Sequence, residues 1–522
     1  MLKNIFIKIL LICSVSGVWG QKSVKVKVSG NVITTDGVPA EFINIQLKNT
    51  FYGGTSDGKG YFEFMAPAGQ YTMIVQSIAA HRREFPVTIE EGKENHFADI
   101  EIRENINQLE QVVVTGQFSP QSMRNSLYRV RTVNSEQIRQ KAPTSVQSLL
   151  NTEIGIRLSN DMALGETDFE LMGMSGNNVK ILLDGIPLID RGATKQSLSQ
   201  LDVNSIERVE IVEGPMSVVY GTDALAGVIN IITKKGDGYS EENTWRVGAR
   251  VQEESMGKEY DFFKDKGLHN ESIDLGFNHK SGLFVNGGYT RNNHGGWQGD
   301  LTGREKRWHP KDQALMNGMF GFQNRNMNVW YRLDFLDEKI FGPNNGSELQ
   351  PEKVSDKDFL TKRYTHQLQS DWKLDNRLDV HAALSYQDYK RRTRTTESDL
   401  STGEKWLSSA EASQDITQYK AWIARATVAW NIAPEFSVQP GVEYQWTQGE
   451  GGRIDGTPKV SDLAFFLSAE YKPWEWLSLR PGVRTFIVAD YDAPIAIPSV
   501  LTKFKLTKHM DLRLSYAYGF RS

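Results

Sequence analysis

The feature that most constrains this sequence is the alternation of apolar and polar residues through its second half. From Thr244 onward, segments such as FSVQPGVEYQW (436–446) and LRLSYAYGF (512–520) place large apolar residues at every second position. Strands with this period have one apolar and one polar face. A soluble β-sandwich would alternate in the same way, so the connections between strands decide between the two architectures.

The predicted connections differ on the two sides of the sheet. Short turns near 280–282, 324–326, 374–376, 431–435, 472–475 and 507–509 alternate with long polar segments near 254–268, 292–312, 337–361, 391–417, 448–460 and 489–498. Outer-membrane barrels combine short periplasmic turns, long extracellular loops and aromatic strand ends. The pattern therefore predicts a mainly β fold whose largest part, residues 237–522, is an antiparallel transmembrane β-barrel.

The number of predicted strands is odd. We count thirteen between residues 244 and 520, whereas bacterial single-chain barrels have an even number and plugged transporters have about 22. The expectation is an incomplete barrel, with about 13 of about 22 strands present and the sequence ending inside it at Ser522.

The first residues predict export from the cytoplasm. Lys3 and Lys8 accompany an apolar run from Ile5 to Val18, which is typical of a secretory signal peptide, residues 1–20. Its removal takes away Cys13, the one cysteine, so no disulfide or thiol chemistry is expected in the mature chain. The remaining 58 basic and 64 acidic side chains give a formal charge of −6, which argues against nucleic acid as a partner.

Residues 21–102 read as short strands separated by turns. VKVKVSGNVI, INIQLKN, GYFEFMA, QYTMIVQSI and FPVTI are rich in β-branched and aromatic residues, and Asp57-Gly58 and Lys59-Gly60 mark a turn. The prediction is a small β-sandwich. The TSDGKGYFEF stretch resembles the carboxypeptidase-regulatory-like domain, and the resemblance implies a structural or interaction role.

Residues 119–236 predict a compact α+β unit. NSEQIRQKAPTSVQSLLN has helical character, with Ser135 as the expected cap. NVKILLDGIPLID, IERVEIVEGP and GVINIITKK are apolar strands bounded by glycine and proline turns.

With the barrel pattern, these motifs resemble the TonB-dependent outer-membrane receptors from about Leu109 to Ser522. The resemblance implies that the α+β unit is the plug that fills the barrel. This sequence has Glu213-Gly214-Pro215 where the family often has R-G-P, and LMGMSG (171–176) where an I-R-G strand is usual. Because LMGMSG contains no arginine, the resemblance does not imply a plug–barrel ion pair at this strand.

The glycine-rich stretch GPMSVVYGTDALAGVINIITKK (214–235) has two interpretations. A phosphate-binding loop would lead into a helix N-terminus and carry Lys-Ser/Thr, whereas these glycines lead into a strand. A plug inside a barrel instead needs close backbone approach at its turns. We therefore expect a packing role for the plug residues Asp184, Gly185, Gly214, Pro215, Tyr220, Gly221 and Gly227.

The segment LEQVVVTG (109–116) lies in the linker, residues 103–118, between the sandwich and the plug. It reads either as a last strand of the sandwich or as a TonB box, an extended segment that adds to a sheet edge of TonB through main-chain hydrogen bonds. The predicted TonB box comprises Glu110, Gln111, Val112, Val113, Val114 and Thr115.

Ligand contacts are expected, by resemblance, on the outward plug loops RLSNDMALG (157–165) and DRGATK (190–195), which otherwise read as ordinary solvated loops. His294 and His309 share one long segment and suggest a haem ligand, against the simpler interpretation of solvated histidines. No metal site, cofactor or enzyme signature is predicted. The candidate ligand-binding residues are Ser159, Asn160, Asp161, Met162, Asp190, Arg191 and Thr194.

The predicted function is TonB-dependent active import of a scarce ligand across the Gram-negative outer membrane. A ferric siderophore is the favoured ligand, with haem or cobalamin as alternatives. The expected partners are TonB with its inner-membrane energising complex, outer-membrane lipid, a small-molecule or metal-chelate ligand, and a surface lipoprotein. The alternative function is a non-transporting surface-binding or signalling receptor of the same fold.

Overall fold

The structure is a computed structural model. It describes residues 25–34, 39–40, 43–77, 80–93, 95–102, 112–113, 115–116, 121–122, 126–160, 167–190, 195–236, 242–375, 377–451, 454–490, 494–507 and 510–519. The chain divides into two compact units, Met1–Val112 and Val113–Ser522.

The first unit is a β-sandwich of a three-stranded sheet, in the order β4-β1-β7, and a four-stranded sheet, in the order β3-β2-β5-β6. The strands are β1 (Lys25–Thr34), β2 (Asn44–Leu47), β3 (Gly53–Thr55), β4 (Tyr61–Pro67), β5 (Gly69–Ser77), β6 (Ala80–Ile89) and β7 (Asn95–Ile102). Alternate residues of β4 are buried, as expected for a strand with one face on a core. The sequence predicts five of these strands and misses the short β3 and the polar β7.

The predicted turn before β4 is built on one carboxylate. Asp57 Oδ1 accepts hydrogen bonds from the backbone N–H groups of Lys59 and Tyr61, at 2.8 and 3.0 Å. Gly60 follows with a φ of +76°, a conformation that glycine adopts without strain. The turn therefore fixes where β4 begins.

The plug follows in the second unit, after a two-stranded ladder of β8 (Val112–Val113) and β9 (Gln121–Ser122). Its main sheet has the order β10-β16-β17-β14-β15, and β11, β12 and β13 form a smaller one. The strands are β10 (Arg129–Asn134), β11 (Ile156–Asn160), β12 (Thr167–Leu171), β13 (Met174–Ser175), β14 (Val179–Leu183), β15 (Ile186–Pro187), β16 (Ile206–Glu213) and β17 (Gly227–Thr233).

The described part of the plug contains three short α-helices: α1 (Ser135–Lys141), α2 (Val146–Leu150) and α3 (Ser217–Tyr220). The predicted cap is wrong by one position, because Asn134 and not Ser135 is the N-cap, and its side chain accepts from the backbone N–H of Gln137. Pro143 follows the end of α1, where a proline cannot continue the helix ladder. Among the described helices, none has the length and apolar character of a membrane span.

The third part is a 14-stranded antiparallel sheet in which thirteen strands follow one another and β25 pairs with β24. The strands are β18 (Thr244–Glu254), β19 (Leu268–Asn278), β20 (Leu283–His294), β21 (Lys311–Gln323), β22 (Met327–Gly342), β23 (Lys353–Lys373), β24 (Leu378–Asp399), β25 (Lys405–Leu407), β26 (Ile416–Ala433), β27 (Phe436–Glu450), β28 (Lys459–Trp474), β29 (Leu477–Ala489), β30 (Ile497–Thr507) and β31 (Met510–Ala517). The predicted count and order of the long strands agree with the structure.

Two of the predicted long loops are largely strand. β23 and β24 contain 21 and 22 residues, whereas about 9 to 11 residues cross a membrane. Their polar outer portions continue the hydrogen-bond ladder through residues that the sequence analysis assigned to loops near 337–361 and 391–417. Polarity marked the end of the apolar band correctly but not the end of the strand.

The faces of this sheet are inverted relative to a soluble protein. Trp422, Tyr444 and Phe465 are more than two-fifths exposed, while Arg425 and Glu443 are buried. An apolar outer face with a polar inner face is the pattern of a membrane barrel. Here the inner face is buried against the plug.

Candidate functional site

The plug core is organised around β17, whose seven residues are all buried. β17 pairs with β14 in parallel and with β16 in antiparallel register. Such a strand, covered on both faces, is expected to be apolar throughout. Asn230 is the exception at its centre, only 1 % exposed.

The glycine-rich stretch makes close backbone contacts. Gly214, Gly221 and Gly227 have φ values of +101°, +77° and +150°. A Cβ at Gly227 would lie 2.1 Å from the carbonyl oxygen of Val212, so only glycine fits there. Pro215 stands just ahead of α3, and the stretch ends in a strand. The geometry is that of a packing element.

The turn between β14 and β15 is held by the predicted residues Asp184 and Gly185. The Asp184 carboxylate accepts from the backbone N–H and the hydroxyl of Thr233, at 3.0 and 2.7 Å. The Gly185 N–H donates to Asn230 Oδ1 at 2.9 Å. This hairpin, 183–190, is thereby tied to the strand at the centre of the plug.

The predicted TonB box lies partly inside the plug. Val113 is fully buried, in a cluster that includes Leu127 and Tyr128. Thr115 is also fully buried, and its N–H and hydroxyl donate to Glu210 Oε2 at 2.9 and 2.5 Å. Val112 forms β8 with Val113, whereas Glu110, Gln111 and Val114 lie outside the described residues.

Tyr220 anchors the end of the same segment. Its hydroxyl accepts from the Gly116 N–H at 3.2 Å, and burial raises the pKa of the phenol to about 12. The tyrosine therefore stays neutral, as a partner for the backbone.

The candidate ligand-binding residues divide into two groups. Asp190 is tied to the short 3-10 helix Gln196–Ser199, since its carboxylate accepts from the N–H and hydroxyl of Ser197 at 2.8 and 2.6 Å. Ser159 is exposed on β11, and Asn160 ends that strand, paired with Thr167. Outside the described residues lie Asp161, Met162, Arg191 and Thr194.

Three glutamines of the barrel wall contact the plug hairpin; we call Gln367, Gln369 and Gln387 the glutamine cluster. Gln367 Nε2 donates to the Leu183 carbonyl at 3.1 Å, and Gln369 Nε2 donates to the Asp184 carbonyl at 2.9 Å. Gln387 accepts from the Ile189 N–H at 2.9 Å and donates to the Pro187 carbonyl at 2.7 Å. These four contacts are between neutral groups; the hairpin also accepts one charged hydrogen bond, from Arg363 Nη1 to the Ile189 carbonyl at 2.9 Å.

Asp202 continues this polar interface further along the chain. Its carboxylate accepts from the Thr290 hydroxyl at 2.9 Å, from Asn317 Nδ2 at 3.2 Å and from the Asn204 N–H at 3.0 Å. Burial raises the pKa of the Asp202 carboxyl, although these hydrogen bonds and Arg332 oppose the rise. The pKa of this carboxyl therefore lies above its ordinary value.

The next strands of the sheet, beginning with β26 beside β24, contact the plug through charges; we call Arg425, Arg484 and Glu443 the arginine cluster. All three side chains are about 2 % exposed, and Arg484 Nη2 lies 2.7 Å from Glu443 Oε1. Arg425 donates to the Val219 carbonyl in α3 and covers the Tyr220 ring at 4.8 Å. The cluster therefore engages the C-terminal end of α3, where helix carbonyls favour cations.

The structure shows the surroundings of Glu213 and of LMGMSG (171–176), where this sequence differs from the usual motifs of the family it resembles. Glu213 pairs with Arg129 and Arg131 of the plug itself, at 3.1 and 2.8 Å. Met172 is exposed at a φ of +51° in the tight turn after β12. The charged plug–barrel contact here comes from arginines on the barrel.

Sequence reasoning missed both clusters. The signal for the glutamine cluster was present in the alternation of THQLQSDWK (365–373), where Gln367 and Gln369 occupy inward positions. No local pattern shows that Arg425 and Glu443 converge on α3, because their meeting depends on strand register.

Comparison with known proteins identifies two domains. The family described as TonB-dependent Receptor Plug Domain matches residues 122–228, and the CarboxypepD_reg-like domain matches residues 28–114. The vitamin B12 transporter BtuB of Vibrio vulnificus (strain CMCP6) is 32% identical over 139 residues, which are 26% of this chain and 23% of that protein. The ferrienterobactin receptor of Escherichia coli (strain K12) is 33% identical over 125 residues, 21% of this chain and 17% of that protein. Each match spans less than a quarter of the relative's length.

Solved structures share the fold. A mutant of the Pseudomonas aeruginosa ferric enterobactin receptor PfeA aligns with a TM-score of 0.57 at 16% identity, covering 75% of this chain and 62% of that one. P. aeruginosa FpvA bound to a pyoverdine and iron aligns with a TM-score of 0.59 at 14% identity, covering 78% and 59%. The fold predicted from the sequence is confirmed.

Proposed function

Because the chain carries the plug domain of the TonB-dependent receptors and an outer-membrane barrel sheet of their fold, we propose that it imports a scarce ligand with energy delivered through TonB. The observation that carries the proposal is the position of Val113 and Thr115. Val113 lies in a short strand and Thr115 in a turn. Both are buried against the plug core, and Thr115 is hydrogen-bonded to Glu210. A segment stored in this way is unavailable for pairing until it leaves the plug.

The proposed mechanism couples two sites. Ligand binds outside, over the plug apex near Ser159, Asp190 and the loops that follow them. The plug rearranges, the segment around Val113 is released below, and it adds as a strand to a sheet edge of TonB. Force delivered through that strand then opens a path between plug and barrel.

The glutamine cluster supports a plug that can move. Neutral hydrogen bonds exchange with water at a net cost of only about 0.5–1.5 kcal/mol each. The contacts of Gln367, Gln369 and Gln387 with the hairpin are of this kind. A plug fixed by apolar contacts would lose far more free energy on moving into water.

The proposed ligand is a ferric siderophore, with cobalamin or haem as alternatives. The support is the set of relatives, which includes a ferrienterobactin receptor and a vitamin B12 transporter. Uptake of labelled ferric enterobactin, cobalamin and haem by cells carrying the full-length gene separates these ligands.

Val113→Pro tests the energised step. Proline removes the N–H that strand addition requires, so we expect TonB-dependent uptake to fall to background while ligand still binds to the cells. The matched control is Val113→Ala, which trims the same buried side chain and keeps the N–H. Uptake should survive in that variant.

Two outcomes would contradict the proposal. Uptake that persists in Val113→Pro cells would exclude this segment as the TonB box. Ligand binding without any TonB-dependent uptake in the unmodified protein would favour the surface-binding or signalling receptor.

A further inference from the structure

The centre of the plug contains a polar side chain that packing alone does not require. Asn230 has Val228, Ile229, Ile231 and Ile232 as neighbours along β17 and is 1 % exposed. Burying an amide among apolar residues costs free energy unless its hydrogen bonds are made. The partners of this amide therefore indicate why it is there.

The two ends of the carboxamide bond two different parts of the plug. Asn230 Oδ1 accepts from the Gly185 N–H at 2.9 Å. Asn230 Nδ2 donates to Thr115 Oγ1, also at 2.9 Å. Gly185 belongs to the hairpin that touches the barrel wall, and Thr115 belongs to the predicted TonB box.

Both bonds continue into longer hydrogen-bonded chains. On one side, the carbonyl of Asp184, beside Gly185, accepts from Gln369 of the barrel wall at 2.9 Å. On the other side, the Thr115 hydroxyl donates to Glu210 Oε2 at 2.5 Å, and Arg208 Nε donates to Glu210 Oε1 at 2.9 Å. Glu210 is also the cross-strand neighbour of Asn230.

A carboxamide is planar, so its oxygen and nitrogen turn together about one torsion. If the Asp184–Gly185 turn moves, the amide can follow the Gly185 N–H only by turning its nitrogen away from Thr115. The Thr115 hydroxyl then keeps only Glu210 among these partners.

We infer that Asn230 is the positioning residue that couples the Asp184–Gly185 turn to the release of the Val113–Thr115 segment. The inference deepens the proposed function and rests on it only in calling that segment a TonB box. The physical claim concerns one side chain and two hydrogen bonds, and it can be tested without ligand and without TonB.

The measurement is the rate at which a membrane-impermeant maleimide labels a cysteine at position 113 in isolated, ligand-free outer membranes containing the full-length protein. Val113→Cys reports release of the segment. Val146→Cys, at an equally buried position in α2, reports general opening of the plug. Cys13, the one cysteine of the sequence printed here, lies in the predicted signal peptide.

Asn230→Asp is the central variant. Its carboxyl group can still accept from Gly185 but has no N–H to donate to Thr115, and it faces the Glu210 carboxyl. We expect labelling at position 113 to rise at least about fivefold, as one lost bond with a buried partner predicts, while labelling at position 146 stays unchanged. Thr115→Val removes the same bond from the other side, together with the hydroxyl's bond to Glu210, so combining the two variants should add less than the product of their separate effects.

Gln369→Leu tests the barrel end of the hydrogen-bonded chain. It removes the bond to the Asp184 carbonyl and leaves Val113 and Thr115 unchanged. It should raise labelling at position 113, and the rise should vanish when Asn230 is replaced by leucine. Equal increases at positions 113 and 146 would reduce Asn230 to a structural residue and overturn the inference. So would a Gln369→Leu variant that labels like the unmodified protein.

These results are separable from the proposed function. If Asn230→Asp raises labelling at position 113 but the protein shows no TonB-dependent uptake, the coupling stands and the transport proposal is rejected. If uptake is normal but Asn230→Asp leaves labelling unchanged, the transport proposal stands and the coupling is rejected.

Discussion

The barrel holds two neighbouring parts of the plug by different chemistries. The hairpin 183–190 is bonded mainly by the amides of the glutamine cluster, with one further bond from the Arg363 guanidinium to the Ile189 carbonyl. The end of α3 is bonded by the guanidinium group of Arg425, which shares the buried carboxylate of Glu443 with Arg484. Both contacts join side chains of the wall to main-chain groups of the plug.

The difference indicates which part can leave its place more easily. Water can replace a neutral amide with little net change in free energy. Separating α3 from the arginine cluster disturbs charges that are already out of water, where an unpaired ion costs several kcal/mol. We therefore expect the hairpin to be the mobile side of the plug and α3 to be the anchored side.

The largest effect should come from neutralising the carboxylate of the anchored side. Glu443→Gln leaves Arg425 and Arg484 buried without their shared counterion, as both lie within 3.5 Å of it. We expect the free energy of unfolding to fall by about 3–5 kcal/mol. Urea titration of the detergent-solubilised protein, followed by tryptophan fluorescence, measures the loss.

Arg484→Gln is the matched control for that variant. It leaves Glu443 paired with Arg425, so no buried charge is left alone. The loss of stability should be clearly smaller than in Glu443→Gln. Equal losses would show that the three charges do not act as one network, and the contrast with the hairpin would weaken.

A smaller and more local effect should follow on the mobile side. Gln387→Leu leaves the Ile189 N–H and the Pro187 carbonyl without their partner. We expect the hairpin to open more readily by about 1–3 kcal/mol, seen as faster hydrogen exchange of the amides of Ile186 and Ile189. The α3 amides should exchange as before.

Gln418→Leu controls for the loss of a glutamine from the barrel. Its amide bonds Asp388 of the next strand and does not touch the plug. Hairpin exchange should match that of the unmodified protein. Faster exchange of α3 in Gln387→Leu would contradict the division into a mobile and an anchored side.

Much of the fold follows from local sequence patterns. The alternation of apolar and polar residues in segments such as 436–446 predicts the strands, and glycine and proline residues between these segments predict the turns. The packing role of Gly227 was also predictable, because a glycine-rich stretch that leads into an apolar strand needs close backbone contact.

The contacts within the site were less predictable, for a physical reason. Gln387 meets Ile189 and Arg425 meets Val219 across about 200 residues of sequence. Such pairs depend on barrel register and on how the plug sits within the wall, which no local period encodes. The predicted cap of α1 was wrong because the neighbouring Asn134 and Ser135 are both good N-cap residues. The predicted ends of β23 and β24 were wrong because polar residues there remain in the hydrogen-bond ladder.

The smallest expected effect concerns pH and Asp202, where the plug meets strands β20 and β21 of the barrel. The pKa of Asp202 is raised by burial among Thr290, Asn317, Asn204 and Arg332. A carboxyl whose folded pKa lies above its unfolded value of about 3.9 binds more protons when folded. Its contribution to stability is therefore fully present below that unfolded value and is lost as pH rises through the folded pKa.

Asp202→Asn removes this titration while keeping a side chain of the same shape. The free energy of unfolding should then change less between pH 4 and pH 7 than in the unmodified protein, with a difference on the order of 1 kcal/mol per unit of pKa shift. Urea titrations at the two pH values measure it. An unchanged pH dependence would show that Asp202 is solvated, so that this part of the interface already admits water.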